Sequence, residues 1–137
     1  MSDGVTLSTI SHPINPPFHG IKSMRITLCG SAKFEQAFKE WNKNLTLAGH
    51  VVYSLSCYPS DFGGKDWYSP EQKLMLDRVH KAKIDNSDAI FVLDVDGYVG
   101  PSTASEVKHA METGKRVIYL SEWTFDRDPE AIARIEA

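Results

Sequence analysis

Cysteine is scarce in this chain of 137 residues, which has two, Cys29 and Cys57. They make no Cys-x-x-Cys pair, so a disulfide-built fold and a zinc ribbon are excluded and a reducing, cytoplasmic setting is expected. No apolar run approaches the ~18 residues of a membrane-crossing helix. The N-terminus lacks the basic and then apolar stretches of a secretory signal. Strong charge of one sign is also missing. At a net charge of −3, neither a nucleic-acid duplex nor an anionic membrane is the expected partner. The five histidines, His12, His19, His50, His80 and His109, are scattered without metal-site spacing, so no metal and no other cofactor is implied. GxGxxG and GxxxxGK[ST] are both absent, which argues against a dinucleotide fold and a P-loop NTPase. No internal repeat is visible.

What remains is an ordinary globular composition, 42% hydrophobic and 24% charged, in a chain long enough for one core. Residues 1–23 hold Pro13, Pro16 and Pro17 without sustained periodicity and read as a tail, with one domain over residues 24–137. Apolar runs place strands at Arg25–Cys29, His50–Leu55, Ala89–Leu93 and Arg116–Leu120. Phe34, Phe38, Trp41 and Leu45 share one face of a first helix, capped by Ser31 and stopped by Gly49. Ser69-Pro70-Glu71-Gln72 opens a second helix with a capping box and runs to about Asn86. A third helix is expected from about Ala104 to Thr113, stopped by Gly114. Trp123, Phe125 and a short helix opened by Asp128-Pro129 are expected to pack on the domain or on a second subunit.

Strands alternating with helices predict an α/β fold. It is a Rossmann-like, flavodoxin-like open parallel sheet in the order 2-1-3-4, with helices on both faces. Ligands of such sheets bind above the strand ends where the connections diverge. Two segments must face that crevice, Cys29-Gly30-Ser31 through Phe34, and Asp94 through Glu106. Asp94 at a strand end resembles a phospho-acceptor receiver, but that chemistry needs further acids where Cys29 and Gly30 stand.

Glu106 is the first candidate. Its plain reading is the far end of a capping box, Thr103-Ala-Ser-Glu106. Its functional reading is a carboxylate that attacks an electrophilic carbon. His80 shares a largely apolar helix face with Leu76 and Ile84, the pattern of a core histidine or of a general acid tuned near neutral pH. Ser102, Thr103 and Ser105 are either capping residues or a nest for phosphate. Tyr98 is placed to stack on a base, and Asp94 and Asp96, with Gly97 between Asp96 and Tyr98, to hold sugar hydroxyls or simply to turn the chain. Asp77 and Lys81 read as a surface ion pair, and Cys29 as a small buried residue. The loop over residues 56–68 is a candidate lid.

Cys29-Gly30-Ser31 after the first strand, Ser87-Asp88-Ala89-Ile90-Phe91-Val92 entering the third, and Glu106 followed by Gly114-Lys115-Arg116-Val117 together resemble the nucleoside 2-deoxyribosyltransferase superfamily. The Cys-Gly-Ser start is most similar to its 2′-deoxynucleoside 5′-phosphate N-hydrolase branch, and the likeness spans roughly residues 24–121. The resemblance implies a glutamate nucleophile, here Glu106, a glycosyl-enzyme intermediate, and a homodimer or higher homo-oligomer. The chain departs from the pattern in three places. His80 stands where the family often has an acid, and Gly100 where transferases tend to have an Asp. Ser102-Thr103-Ala104-Ser105 replaces a glycine-rich approach to the Glu. The extra hydroxyls suit a 5′-phosphate. The expectation is therefore an N-glycosidase or base transferase acting on a small nucleoside or nucleotide. Glu106 and His80 are its catalytic groups, and Cys29, Gly30, Ser31, Phe34, Tyr98, Gly100 and the helix hydroxyls form the binding shell. A non-catalytic nucleotide-sensing module on the same fold is the alternative.

Overall fold

A computed structural model describes residues 23–123. Phe125, the Asp128-Pro129 helix and the tail up to residue 22 lie outside the described residues. The chain runs β1 (Arg25–Cys29), α1 (Glu35–Leu47), β2 (Val51–Tyr53), α2 (Pro70–Asp85), β3 (Ala89–Val92), α3 (Pro101–Glu112) and β4 (Arg116–Tyr119). The four strands form one parallel sheet in the order β2-β1-β3-β4. Arg25 pairs with Val51, Ile26 with Ala89, and Ala89 with Arg116. The fold is the expected open α/β sheet. No described helix is long and apolar enough to cross a membrane.

Alternation along the strands divides the core. Ile26, Leu28, Phe91 and Leu93 pack with Phe38, Trp41 and Leu45 of α1 and with Trp123. Cys29, Ile90 and Val92 pack on the other face with Ile84 of α2 and Ala110 of α3. Trp41 and Phe91 meet edge to face at 5.2 Å between ring centroids, and Trp123 reaches both, at 4.8 and 5.0 Å. Trp123 thus packs against both β3 and α1 on one face of the sheet. The expected packing of this aromatic onto the domain is what the structure shows.

Two of the element boundaries that differ from expectation shape the site. β2 ends at Tyr53 rather than Leu55. The carbonyls of Arg25 and Cys29 accept from Asp88 and Leu93 on the β3 side. Alternation therefore turns the Leu28 carbonyl toward β2, which has already ended. The second difference is α3, which starts at Pro101 with Gly100 as N-cap, three residues before the expected Ala104. Proline's fixed φ and missing N–H suit the first helical position, and this start prevails over the Thr103 cap. Thr103 is then inside the first turn, and the Thr103–Glu106 capping box does not form. By contrast the Ser69–Gln72 capping box is complete, with bonds of 3.1 and 2.8 Å.

Trp41→Ala should cost about 3–5 kcal/mol of stability, because it empties the centre of the three-ring cluster. Urea unfolding followed by circular dichroism measures this. A loss under about 1 kcal/mol would mean that the cluster does not anchor α1 to the sheet.

Candidate active site

The turn after β1, the segment after β2, α2, the loop after β3 and the N-terminal end of α3 line a cavity of about 950 Å³. Gly30 lets the chain leave β1 close to the end of β3, since a Cβ there would sit 3.2 Å from the Leu93 carbonyl oxygen. Ser31 then accepts from the Lys33 amide and starts a single 3-10 turn ahead of α1.

Cys29, His80 and Glu106 converge from β1, α2 and α3, each offering an atom within 4.8 Å of the others. His80 fills the gap left by the short β2. Its Nε2–H donates to the Leu28 carbonyl at 3.0 Å. A carbonyl only accepts, so Nε2 carries the proton of the neutral ring. The same nitrogen lies 3.7 Å from Cys29 Sγ and 3.9 Å from Glu106 Oε1, the latter too long for a hydrogen bond. Burial, followed by the nearby Lys83 cation, lowers His80 to about 4. Burial likewise raises Glu106 to about 7, assisted by Asp77 and opposed by the Cys29 hydrogen bond and by Lys73 and Lys81. Between about 4 and about 7 both side chains are neutral and form no ion pair. Burial also pushes the Cys29 thiol well up, and the Glu106 carboxylate adds to it. Cys29 is therefore a thiol, not a thiolate.

Of the residues expected at the site, Gly30, Ser31, His80, Tyr98, Gly100, Ser102, Thr103 and Glu106 line the cavity. Cys29 is buried beneath them. Phe34 stands outside the lining and supports Tyr98 edge to face at 6.0 Å. Ser105 faces a smaller cleft beside the cavity, together with Ser102 and Glu106.

Asp94 and Asp77 take partners other than those expected, and Asp96 with Gly97 takes the turn alternative. Asp94 does not face a sugar, because its two oxygens accept from the Ser121 amide and hydroxyl at 2.9 and 2.7 Å, tying β3 to the segment after β4. Asp96 and Gly97 form a left-handed turn, with φ of 54° and 80°, outside the cavity lining. Asp77 pairs with Lys73, at 2.8 and 2.9 Å, rather than with Lys81. His80 lies in the site as expected, but as a neutral ring whose Nε2 proton is committed to the backbone rather than as a free acid.

Lys73 and Lys83 escaped the sequence reading, whereas Lys33 falls in the segment expected at the crevice. Lys33 sits 3.9 Å above the Tyr98 ring. Lys73 also donates to Ser102 Oγ at 3.2 Å, bridging α2 to α3. Lys83 donates to the Ser54 carbonyl at 2.6 Å and to Ser56 Oγ at 3.0 Å. Burial lowers its pKa. Lys73, Asp77, His80 and Lys83 recur every three or four residues, so they share one face of α2. That stripe was the available signal. The expected lid segment forms a wall through Ser56, Pro59, Ser60, Lys65 and Trp67, with Trp67 stacked at 4.6 Å on Phe62. Comparisons with family models, with curated proteins and with solved structures find no match for this chain.

The raised Glu106 and lowered His80 act on stability with opposite signs. Glu106 binds its proton more tightly folded than unfolded, so its contribution is full below about 4.5 and is lost as pH rises through about 7. His80 holds its proton less tightly folded, so its contribution is full above 6.5 and is lost as pH falls through about 4. Glu106→Gln, which stays neutral, should therefore be more stable than the wild type above pH 7 by on the order of 1–3 kcal/mol. The advantage should vanish near pH 4.5. Urea titrations of both proteins across this range test it, and a gap that does not vary with pH would contradict it.

Proposed function

We propose that the chain cleaves the N-glycosidic bond of a nucleoside or its 5′-monophosphate, or transfers the base, with Glu106 as nucleophile. The observation that carries this reading is the carboxylate itself, 9% exposed, raised to about 7, and facing a cavity of ligand size over the strand ends. A carboxylate used only as a cap would be solvated at a helix start. This one lies in the second turn of α3 and is turned inward. The resemblance of Cys29-Gly30-Ser31 and of the segments around Asp88 and Glu106 to the deoxyribosyltransferase superfamily supports the same assignment.

The ionised carboxylate, poorly hydrated in its pocket, attacks the anomeric carbon. A C–O bond forms as the C–N bond breaks. The electron pair of the C–N bond leaves with the base, which takes a proton from water in the cavity. Water then attacks the same carbon, giving one proton to the hydroxide left by the first step, while the C–O bond breaks and its electron pair returns to Glu106. A second base in place of water gives transfer. Two displacements retain the anomeric configuration.

The other groups hold the substrate. Tyr98, 44% exposed and braced by Phe34, offers a face for the base. Ser31, Ser102 and Thr103, with the free amides at the start of α3, suit a sugar or a phosphate. Lys33, Lys65, Lys73 and Lys83 outnumber the carboxylates Glu35, Asp77 and Glu106 in the lining. The lining is thus cationic in a chain of net charge −3, which favours a 5′-monophosphate over a nucleoside. His80 is a positioning residue that fixes α2 against β1 and sets the polarity beside Glu106.

Incubation with ribo- and deoxyribonucleosides and their 5′-monophosphates, followed by chromatography, should show released base. Its rate should rise with pH through about 7 as Glu106 ionises. Glu106→Gln should lower kcat by at least about 10³-fold while retaining ligand binding. Saturable nucleotide binding without any product, the same in wild type and variant, would instead establish a sensing module.

A further inference from the structure

We propose that Cys29, His80 and Glu106 form a binding site for a borderline-soft divalent cation of the Zn²⁺ class at the floor of the cavity. The three side chains supply sulfur, nitrogen and oxygen, the donor set that such ions take and that Mg²⁺ and Ca²⁺ do not. Tetrahedral Zn²⁺ with ordinary bond lengths separates S, N and O donors by about 3.4–3.6 Å. Here Sγ to Nε2 is 3.7 Å and Nε2 to Oε1 is 3.9 Å, and the third side of the triangle is within 4.8 Å. Two sides are already near the required length. The third closes by rotating Glu106, which borders open space in the cavity. His80 and Glu106 both line that cavity, so an ion reaches them from solvent without opening the core.

The proton inventory is compatible with ligation. Cys29 gives up its thiol proton to solvent, and Glu106 its carboxyl proton where it carries one. The ring of His80 stays neutral and moves its proton from Nε2 to Nδ1. The Leu28 carbonyl then loses its donor, but it lies 3.0 Å from Nε2 and is placed as an oxygen donor to the ion or to a water on it. A sequence separation of 51 residues between Cys29 and His80, and a third ligand on another helix, hides the site from any spacing motif.

The consequence for turnover rests on the glycosidase reading, whereas the binding does not. An ion on Glu106 withdraws the nucleophile, so Zn²⁺ inhibits base release and a chelator restores it.

Titration of the full chain with Co²⁺ should give a 1:1 complex with a near-ultraviolet thiolate-to-cobalt band. Zn²⁺ should bleach the band, and Mg²⁺ should leave it unchanged. Cys29→Ser should abolish the band and weaken Zn²⁺ binding, measured by calorimetry, by at least about tenfold. Glu106→Gln keeps the buried thiol in place and should retain the band with a similar loss of affinity, which guards against a folding defect in the cysteine variant. Cys57→Ser should leave the spectrum unchanged. No thiolate band in the wild type, or one that survives Cys29→Ser, would overturn the site. A protein that releases no base yet shows the Cys29-dependent band would sink the glycosidase reading and support the cation site.

Discussion

The hydrogen bond from His80 to the Leu28 carbonyl determines the character of everything around it. β2 stops at Tyr53, so a backbone acceptor on the central strand β1 would otherwise face the crevice without a partner. A helix side chain supplies the donor. In doing so it docks α2 against β1 and fixes which nitrogen of the ring carries the proton. Burial and the nearby Lys83 cation keep the ring neutral beside Glu106, against the pull of this hydrogen bond. A protonated histidine at the same distance would hold Glu106 ionised. The neutral one leaves burial to act on the carboxylate unopposed by any charge from that side.

The crevice is closed on one flank and open on the other. Asp94 and Ser121 bind the ends of β3 and β4 together, and Trp123 packs directly beyond them against Trp41 and Phe91. On the β2 side, Lys83 holds Ser54 and Ser56 from α2, and the aromatic segment with Phe62 and Trp67 forms the wall. The cavity therefore has a rigid floor of strand ends and one wall made of loop.

Most of the architecture was legible because it rests on local signals. Arg25–Cys29 and Ala89–Leu93 read as buried strands, and Ser69-Pro70-Glu71-Gln72 reads as a helix start with both halves of its cap. The start of α3 was misplaced because two valid signals compete within four residues. Gly100-Pro101 and Thr103-x-x-Glu106 each open a helix, and proline's prior commitment to helical φ decides between them. That shift turns Glu106 from a cap into an inward-facing group. The candidate site was legible in part. Glu106 and His80 stand out as chemically capable residues near the switch point, and Cys29 was placed in the binding shell as a small buried residue, but not as the neighbour of both. Its nearness to both is a property of the strand order and appears in no spacing. Asp94 was misassigned for a related reason, since its partner Ser121 lies 27 residues away on another strand's exit.

A carboxyl group poised near 7 makes the empty site a mixture of two chemical species at neutral pH, one an anion and one a hydrogen-bond donor. Whatever enters the cavity selects between them. An anionic ligand draws a proton in with it, and a cation drives one out, so occupancy and protonation are a single equilibrium. The heat of binding then depends on the buffer that supplies or absorbs the proton, and apparent affinity depends on pH even for ligands that do not titrate.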